Sequence, residues 1–195
     1  MTSPKKAELT RSRILSEGRA LVLANGFGGL GLTELLAVSG VPKGSFYYYF
    51  ASKEAFGCDM LSDYVETYLA ALDAIIARPQ PAAERMNAFF SAALESDAGS
   101  MADRCLVVKL AAEIADLSED MRQILDDGVK AVCRRLARLV REGAEDGSII
   151  PQHDPDSAAA QLYSQWLGAA IMAKLSRHPA PLEQALADTR WRFFA

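Results

Sequence analysis

Lys43, Gly44, Ser45, Tyr47, Tyr48 and Lys53 fall within a dozen residues, directly after the turn Gly40-Val41-Pro42. A lysine near a helix start can reach a phosphate or the edge of a guanine. Gly44 has no side chain, so the backbone there can approach a base closely. Ser45, Tyr47 and Lys53 suit phosphate hydrogen bonds, which position a protein on a duplex without reading its sequence. Tyr48 serves either purpose, and Thr33, near the start of the preceding helical pattern, joins the set. A second group is Arg104-Cys105-Leu106-Val107-Val108-Lys109. With Asp103 as a cap, Cys105 is expected in the first turn of a helix, where the positive end of the dipole favours thiolate. Lys109, four residues on, is expected on the same face, and Arg104 adds another cation. A thiolate is the nucleophile toward electrophiles and the form that oxidants attack.

Each group has a plainer reading. The first is a helical hairpin with exposed tyrosines, although three consecutive tyrosines are a poor choice for a purely solvated face. The second is a buried cysteine acting as a small hydrophobe. Cys58 and Cys133 sit in helical patterns with no clustered cation at a helix start, so for them the structural role is the expectation. His153 and His178 lack ligand spacing with the cysteines, and neither a metal nor a cofactor is implied.

The elements that must position these residues are helices. Apolar residues recur at helical intervals almost throughout, punctuated by Pro and Gly clusters. A first helix is expected from about Thr10 to Leu23, stopped by Asn25-Gly26. The segment GFGGLG then leads to a second helix near Leu32 to Ser39, and Pro42 opens a third. Leu35, Leu36, Val41, Phe46 and Phe50 are expected to face inward. Ser52 caps a long fourth helix reaching Arg78. Further helices are expected over about Pro81–Glu95, Arg104–Ala115, the stretch after the Ser118 cap, Ala158–Ser176 and Pro181–Phe193. The class is all-α, with about nine helices: a helix-turn-helix domain over residues 1–51 and a helical sensor and dimerisation domain over 52–195.

Composition narrows the function. The chain has 195 residues and a net charge of -4. Residues 1–53 carry seven Lys or Arg against three acids, or +4, which leaves -8 for the remainder. A basic end on an acidic body suits a DNA-binding head with separate business behind it. No apolar run approaches the roughly 20 residues needed to cross a bilayer. The N-terminus lacks the apolar centre of a secretory signal. A cytoplasmic protein with reduced thiols and no membrane partner is the expectation.

The stretch GVPKGSFYYYFASKEAFG resembles the turn and third helix of TetR-family repressors. That resemblance implies an all-helical homodimer on palindromic operator DNA, with a three-helix DNA-binding domain and a C-terminal sensing domain. It also implies a dimer interface built by the last two helices of each subunit, where Leu162, Trp166, Ala169, Ala170 and Ala173 are the expected contacts. Gly31 stands where many relatives place a Thr or Ser cap. Glycine is an acceptable cap, so the difference weakens a phosphate contact rather than the fold.

CLVVKLAAEIADLSEDMR and QLYSQWLGAAIMAKLSR are similar to the matching stretches of the NemR-like branch, which senses electrophiles and oxidants. The resemblance places Cys105 on that branch's reactive cysteine and Lys174 on the lysine thought to work with it. Arg104 replaces a glycine common before this cysteine, and the branch's other cysteines are not all matched. A related acrylate-responsive branch shares the Cys-Leu-Val segment, so the inducer is a small electrophile, an unsaturated acid or an oxidant. The expected protein is therefore a repressor released by modification of Cys105. Two alternatives stay open: a regulator of the same type released by a non-covalent ligand, with Cys105 structural, and a helical thiol enzyme. The enzyme lacks a His or Asn convincingly placed for Cys105 and leaves LTELLAVSGVPKGSFYYYF unexplained.

Overall fold

Two serines show how local chemistry starts the long helices of this chain. The Ser52 hydroxyl accepts from the Ala55 N–H at 2.9 Å, and the Ser118 hydroxyl accepts from the Met121 N–H at 3.3 Å. The structure, a computed structural model, describes residues 4–94 and 99–195; the side chains of residues 4–6 and of Lys43 lie outside that description. Among the described residues there are ten α-helices: α1 (Pro4–Asn25), α2 (Leu32–Val38), α3 (Phe46–Tyr49), α4 (Lys53–Ile76), α5 (Ala82–Leu94), α6 (Met101–Arg104), α7 (Leu106–Leu117), α8 (Glu119–Asp146), α9 (Pro155–Ser176) and α10 (Ala180–Phe193). A 3-10 turn over Lys43–Ser45 precedes α3. The four-residue α6 is the element beyond the nine expected. The all-α class holds, with one isolated bridge between Ile149 and Phe194 as the extended pairing among the described residues.

The chain forms two units, Met1–Glu66 with Lys109–Asp126, and Thr67–Val108 with Asp127–Ala195. This grouping differs from a division after residue 51, because the first unit takes in the start of α4, most of α7 and the start of α8.

In the first unit Leu35 and Leu36 of α2, Val41, Phe46 and Phe50 are buried, as expected from their spacing, together with Ile14 and Val22 of α1. Phe56, Met60 and Leu61 of α4 join them, with Leu110 and Ile114 of α7. The rings of Phe46, Phe50 and Phe56 form a mutual cluster with centroids 5.1–5.9 Å apart. Burial of each such side chain contributes about 1.5–3 kcal/mol, which lets short helices persist here. Gly40, at φ +60, closes α2 in the left-handed region. Its N–H and that of Val41 satisfy the carbonyls of Ala37 and Leu36.

The second unit is built around Trp166. Its indole stacks on Phe90 (4.5 Å between centroids, 18° between planes) and donates from Nε1 to the Thr189 hydroxyl at 3.0 Å. Leu162, Trp166, Ala170 and Ala173 are buried in this chain's own core, with Ala169 partly buried against it. The expectation that Leu162, Trp166 and Ala173 face a second subunit is therefore corrected. They meet α5, α6 and α10 instead, because an apolar stripe demands burial without specifying the partner. Trp166→Ala is expected to cost about 3–5 kcal/mol in urea unfolding. Trp166→Phe should cost clearly less, since the stack on Phe90 survives and only the Thr189 bond is lost.

Candidate nucleic-acid interface and thiol site

Two of the residues expected to meet DNA, Tyr47 and Tyr48, rest against neighbouring aromatic rings. Tyr47 and Tyr48 are 66% and 71% exposed, large values for aromatic side chains. The Tyr47 ring stands edge-on to Phe46 at 5.4 Å, and Tyr48 stands edge-on to Tyr49 at 4.9 Å. Phe46 is buried, so the Tyr47 ring has a packed neighbour on one side. Gly44 and Thr33 are exposed, and Ser45 is half-buried. A Cβ added at Gly44 would meet nothing, so packing within the chain does not require glycine there. The Lys43 side chain lies outside the described residues. Gly31 is the N-cap of α2, in extended backbone and with no side-chain cap. Arg11 is engaged within the unit, paired with Asp59 at 2.6 Å and lying over the Phe50 ring.

Lys53, a further phosphate candidate, has internal partners. Its ammonium donates to the Gly28 carbonyl at 3.3 Å and sits 5.1 Å from the centre of the Phe27 ring. It thus touches the glycine turn between α1 and α2, and α7 grips the same turn. The Glu113 carboxylate accepts from the Phe27 N–H at 3.2 Å and from the Gly28 N–H at 2.5 Å. One helical turn earlier, the Lys109 ammonium donates to the Ala24 carbonyl at 3.1 Å, in the last turn of α1. A cation on the last carbonyls of a helix is favourable, because those groups lack intrahelical partners. Lys109 was expected beside Cys105; the structure gives it this partner.

Cys105 lies at a break. Ser100, rather than Asp103, is the N-cap of α6, and the Asp103 carboxylate accepts from the Ser100 N–H and hydroxyl at 3.2 and 2.8 Å. The helix ends at Cys105, whose extended backbone (φ -79, ψ 113) interrupts the path before α7 starts at Leu106. The single helix expected over 104–115 is therefore two, with the cysteine at their junction. Cys105 is only 4% exposed. Burial penalises a charged sulfur, whereas the start of the twelve-residue α7 favours one.

Charged groups gather near this junction. The Lys174 ammonium, from the last turn of α9, donates to the Ala102 carbonyl at 2.9 Å. Arg104 donates to the Ala92 carbonyl at 2.6 Å. Two tyrosines, Tyr68 and Tyr163, belong to the same surroundings. Burial, followed by the electrostatic influence of the Cys105 thiol, pushes the Tyr68 phenol far above its usual range; a hydrogen bond with Tyr163 and the Arg104 guanidinium act the other way.

The other two thiols differ. Burial raises the Cys58 thiol first, and the neighbouring Asp120, Glu54 and Asp59 raise it further; burial also raises Cys133. None of the three cysteines is in a disulfide. Cys133 lines an open cleft of about 360 Å³ with Val129, Lys130 and Arg134 of α8 and Asp156 and Tyr163 of α9.

Comparison with known proteins places these features. Residues 14–56 match the profile described as "Bacterial regulatory proteins, tetR family", and residues 82–188 match "Tetracyclin repressor-like, C-terminal domain". The chain is 41% identical over 184 residues to the HTH-type transcriptional repressor NemR of Escherichia coli strain K12, covering 93% of this chain and 92% of that one. It is 34% identical to the transcriptional regulator AcuR of Cereibacter sphaeroides, covering 90% and 81%. The reduced form of E. coli NemR superposes with a TM-score of 0.87 at 39% identity, over 94% of this chain and 96% of that one. No helix among the described residues is long and apolar enough to cross a membrane. These relatives are regulators rather than enzymes, and the chain, carrying both of their domains, belongs to the TetR family of bacterial transcriptional regulators.

Proposed function

We propose that the protein is a cytoplasmic homodimeric repressor that binds palindromic operator DNA and is released when a reactive electrophile or oxidant modifies Cys105. Residues 1–51 read DNA, and residues 52–195 sense and dimerise. Thr33, Gly44, Ser45, Tyr47 and Tyr48 form the contact surface with Lys43, while Lys53 braces it. Ile171, Met172 and Leu175 of α9 and Trp191 of α10 are exposed apolar side chains, 45–80% accessible, and suit burial against a second copy. This face replaces the one expected from Trp166. Two heads must then meet successive major grooves about 34–36 Å apart, so a small rotation of either lowers affinity steeply.

The observation that carries the sensor reading is the break at Cys105. The sulfur belongs to the residue from which α7 sets out, and α7 holds the turn between the first two helices of the DNA-binding head. The chemistry is balanced without a cofactor. A Cys105 thiolate adds to the β-carbon of an unsaturated carbonyl compound; the carbon–carbon π pair moves toward the carbonyl, and water returns a proton. With a hydroperoxide as the oxidant, the thiolate attacks the terminal oxygen, the O–O bond breaks, and the sulfur becomes a sulfenic acid while the peroxide is reduced to water or an alcohol. The amine of Lys174 then condenses with it, forming a sulfur–nitrogen bond and releasing water, or simply holds the anion by charge. Either product is bulkier than the buried thiol it replaces.

A second reading has its own support. Cys105 is buried, and the cleft beside Cys133 is large enough for a small organic molecule. In that case the inducer binds without a covalent bond and Cys105 is structural.

Cys105→Ser distinguishes the two readings. It should bind operator DNA like the wild type and stay bound when treated with an unsaturated aldehyde; normal release would refute the thiol switch and favour the cleft. Lys43→Ala and Tyr47→Ala should each weaken operator binding by roughly 1–3 kcal/mol, measured by fluorescence anisotropy at fixed salt. Gel filtration should show the dimer intact in both. Leu175→Glu should instead shift the protein toward monomer, and an unchanged dimer would move the interface elsewhere.

A further inference from the structure

The GFGG turn after α1 is a cradle for a carboxylate, and the carboxylate it holds is the chain's own Glu113. Two features of the turn are needed for this. Gly26 adopts φ +79, a left-handed conformation that β-carbons disfavour, and this turns the Phe27 and Gly28 N–H groups to one side. A Cβ on Gly26 would also lie 2.8 Å from Glu113 Oε2, and one on Gly28 would lie 3.0 Å from Oε1. Glycine at both positions lets the carboxylate approach.

The hold is bracketed on both sides. Lys109, four residues before Glu113 on α7, takes the Ala24 carbonyl, while Lys53 at the start of α4 takes the Gly28 carbonyl. Backbone groups from Ala24 to Gly28 are thus claimed by three charged side chains from two helices. Neither Glu113 nor Lys109 belongs to the aromatic surface proposed to meet DNA. Charge-assisted bonds of this kind are roughly twice as strong as neutral ones, and they demand close alignment. A shift of α7 must either drag the turn or break the bonds.

We infer that Glu113 is the positioning residue of the switch, with Lys109 as its second point of attachment: together they convert a displacement of α7 into a reorientation of the DNA-binding head. The inference rests on the proposal that Cys105 is the trigger. It adds that the signal travels through α7 and the GFGG turn, and that the relay fails when the carboxylate is neutralised. The side chain acts on DNA affinity through the turn and touches neither operator nor inducer.

The test uses the full-length protein, alkylated with N-ethylmaleimide, with Cys105 occupancy read by peptide mass spectrometry. Operator affinity is measured before and after alkylation for the wild type, Glu113→Gln and Lys109→Gln. The two variants are expected to reach wild-type Cys105 occupancy, yet to lose about tenfold less affinity on modification, a difference within the range of typical allosteric coupling. Glu113→Asp, which keeps the charge on a shorter arm, should recover part of the response. A folded, dimeric Glu113→Gln that binds operator poorly even unmodified also supports the inference, since the clasp then holds the binding orientation. If Glu113→Gln does not fold, Lys109→Gln carries the same comparison. Release of the wild type and the folded variants by equal factors overturns the clasp alone. A wild type that keeps its operator affinity with Cys105 fully modified overturns the trigger, and the relay with it.

Discussion

The carboxylate of Glu113 against the N–H groups of Phe27 and Gly28 is the contact on which the account depends. Those two donors lie in a turn with no helix or strand of its own, so α7 supplies what secondary structure does not. The Phe27 donor is part-buried, and leaving such a donor without a partner costs about 1–3 kcal/mol where water is excluded. The turn joins α1 to α2, and α2 is the first half of the helix-turn-helix. The conformation of the reading head is therefore tied to a residue 85 positions further along the chain.

Chain order makes this tie useful. α7 starts at Leu106, immediately after the cysteine, and reaches Glu113 two turns later. A helix transmits displacement along its axis because its hydrogen bonds resist stretching, whereas a loop of the same length would absorb it. The break at Cys105 is where, in the proposed switch, such a displacement would begin. Burial of the sulfur has two consequences. It limits contact with solvent, and it means that an added group must be accommodated within the packed core.

Local signals made much of the fold legible. Ser52 and Ser118 cap their helices as hydroxyls followed by apolar periodicity should, and Leu35, Leu36, Val41, Phe46 and Phe50 are buried as their spacing indicates. Partners were not legible in the same way. Trp166 read as a contact with a second subunit, whereas its indole stacks on Phe90 of the same chain, because periodicity marks a buried face without naming what covers it. Lys109 stood four residues from Cys105 in sequence, but its bond is to a carbonyl 85 residues earlier. The GFGGLG segment read as a linker, since nothing nearby in sequence showed that a distant carboxylate fills it. Asp103 resembled a cap but serves as the third residue of a capping box started by Ser100.

The most direct measurement of the central claim is amide hydrogen exchange at Phe27 and Gly28, taken before and after Cys105 is modified. The account predicts protection at both amides in the reduced protein and its loss, together with operator release, once the sulfur carries an adduct. Operator release with both amides still protected would contradict it.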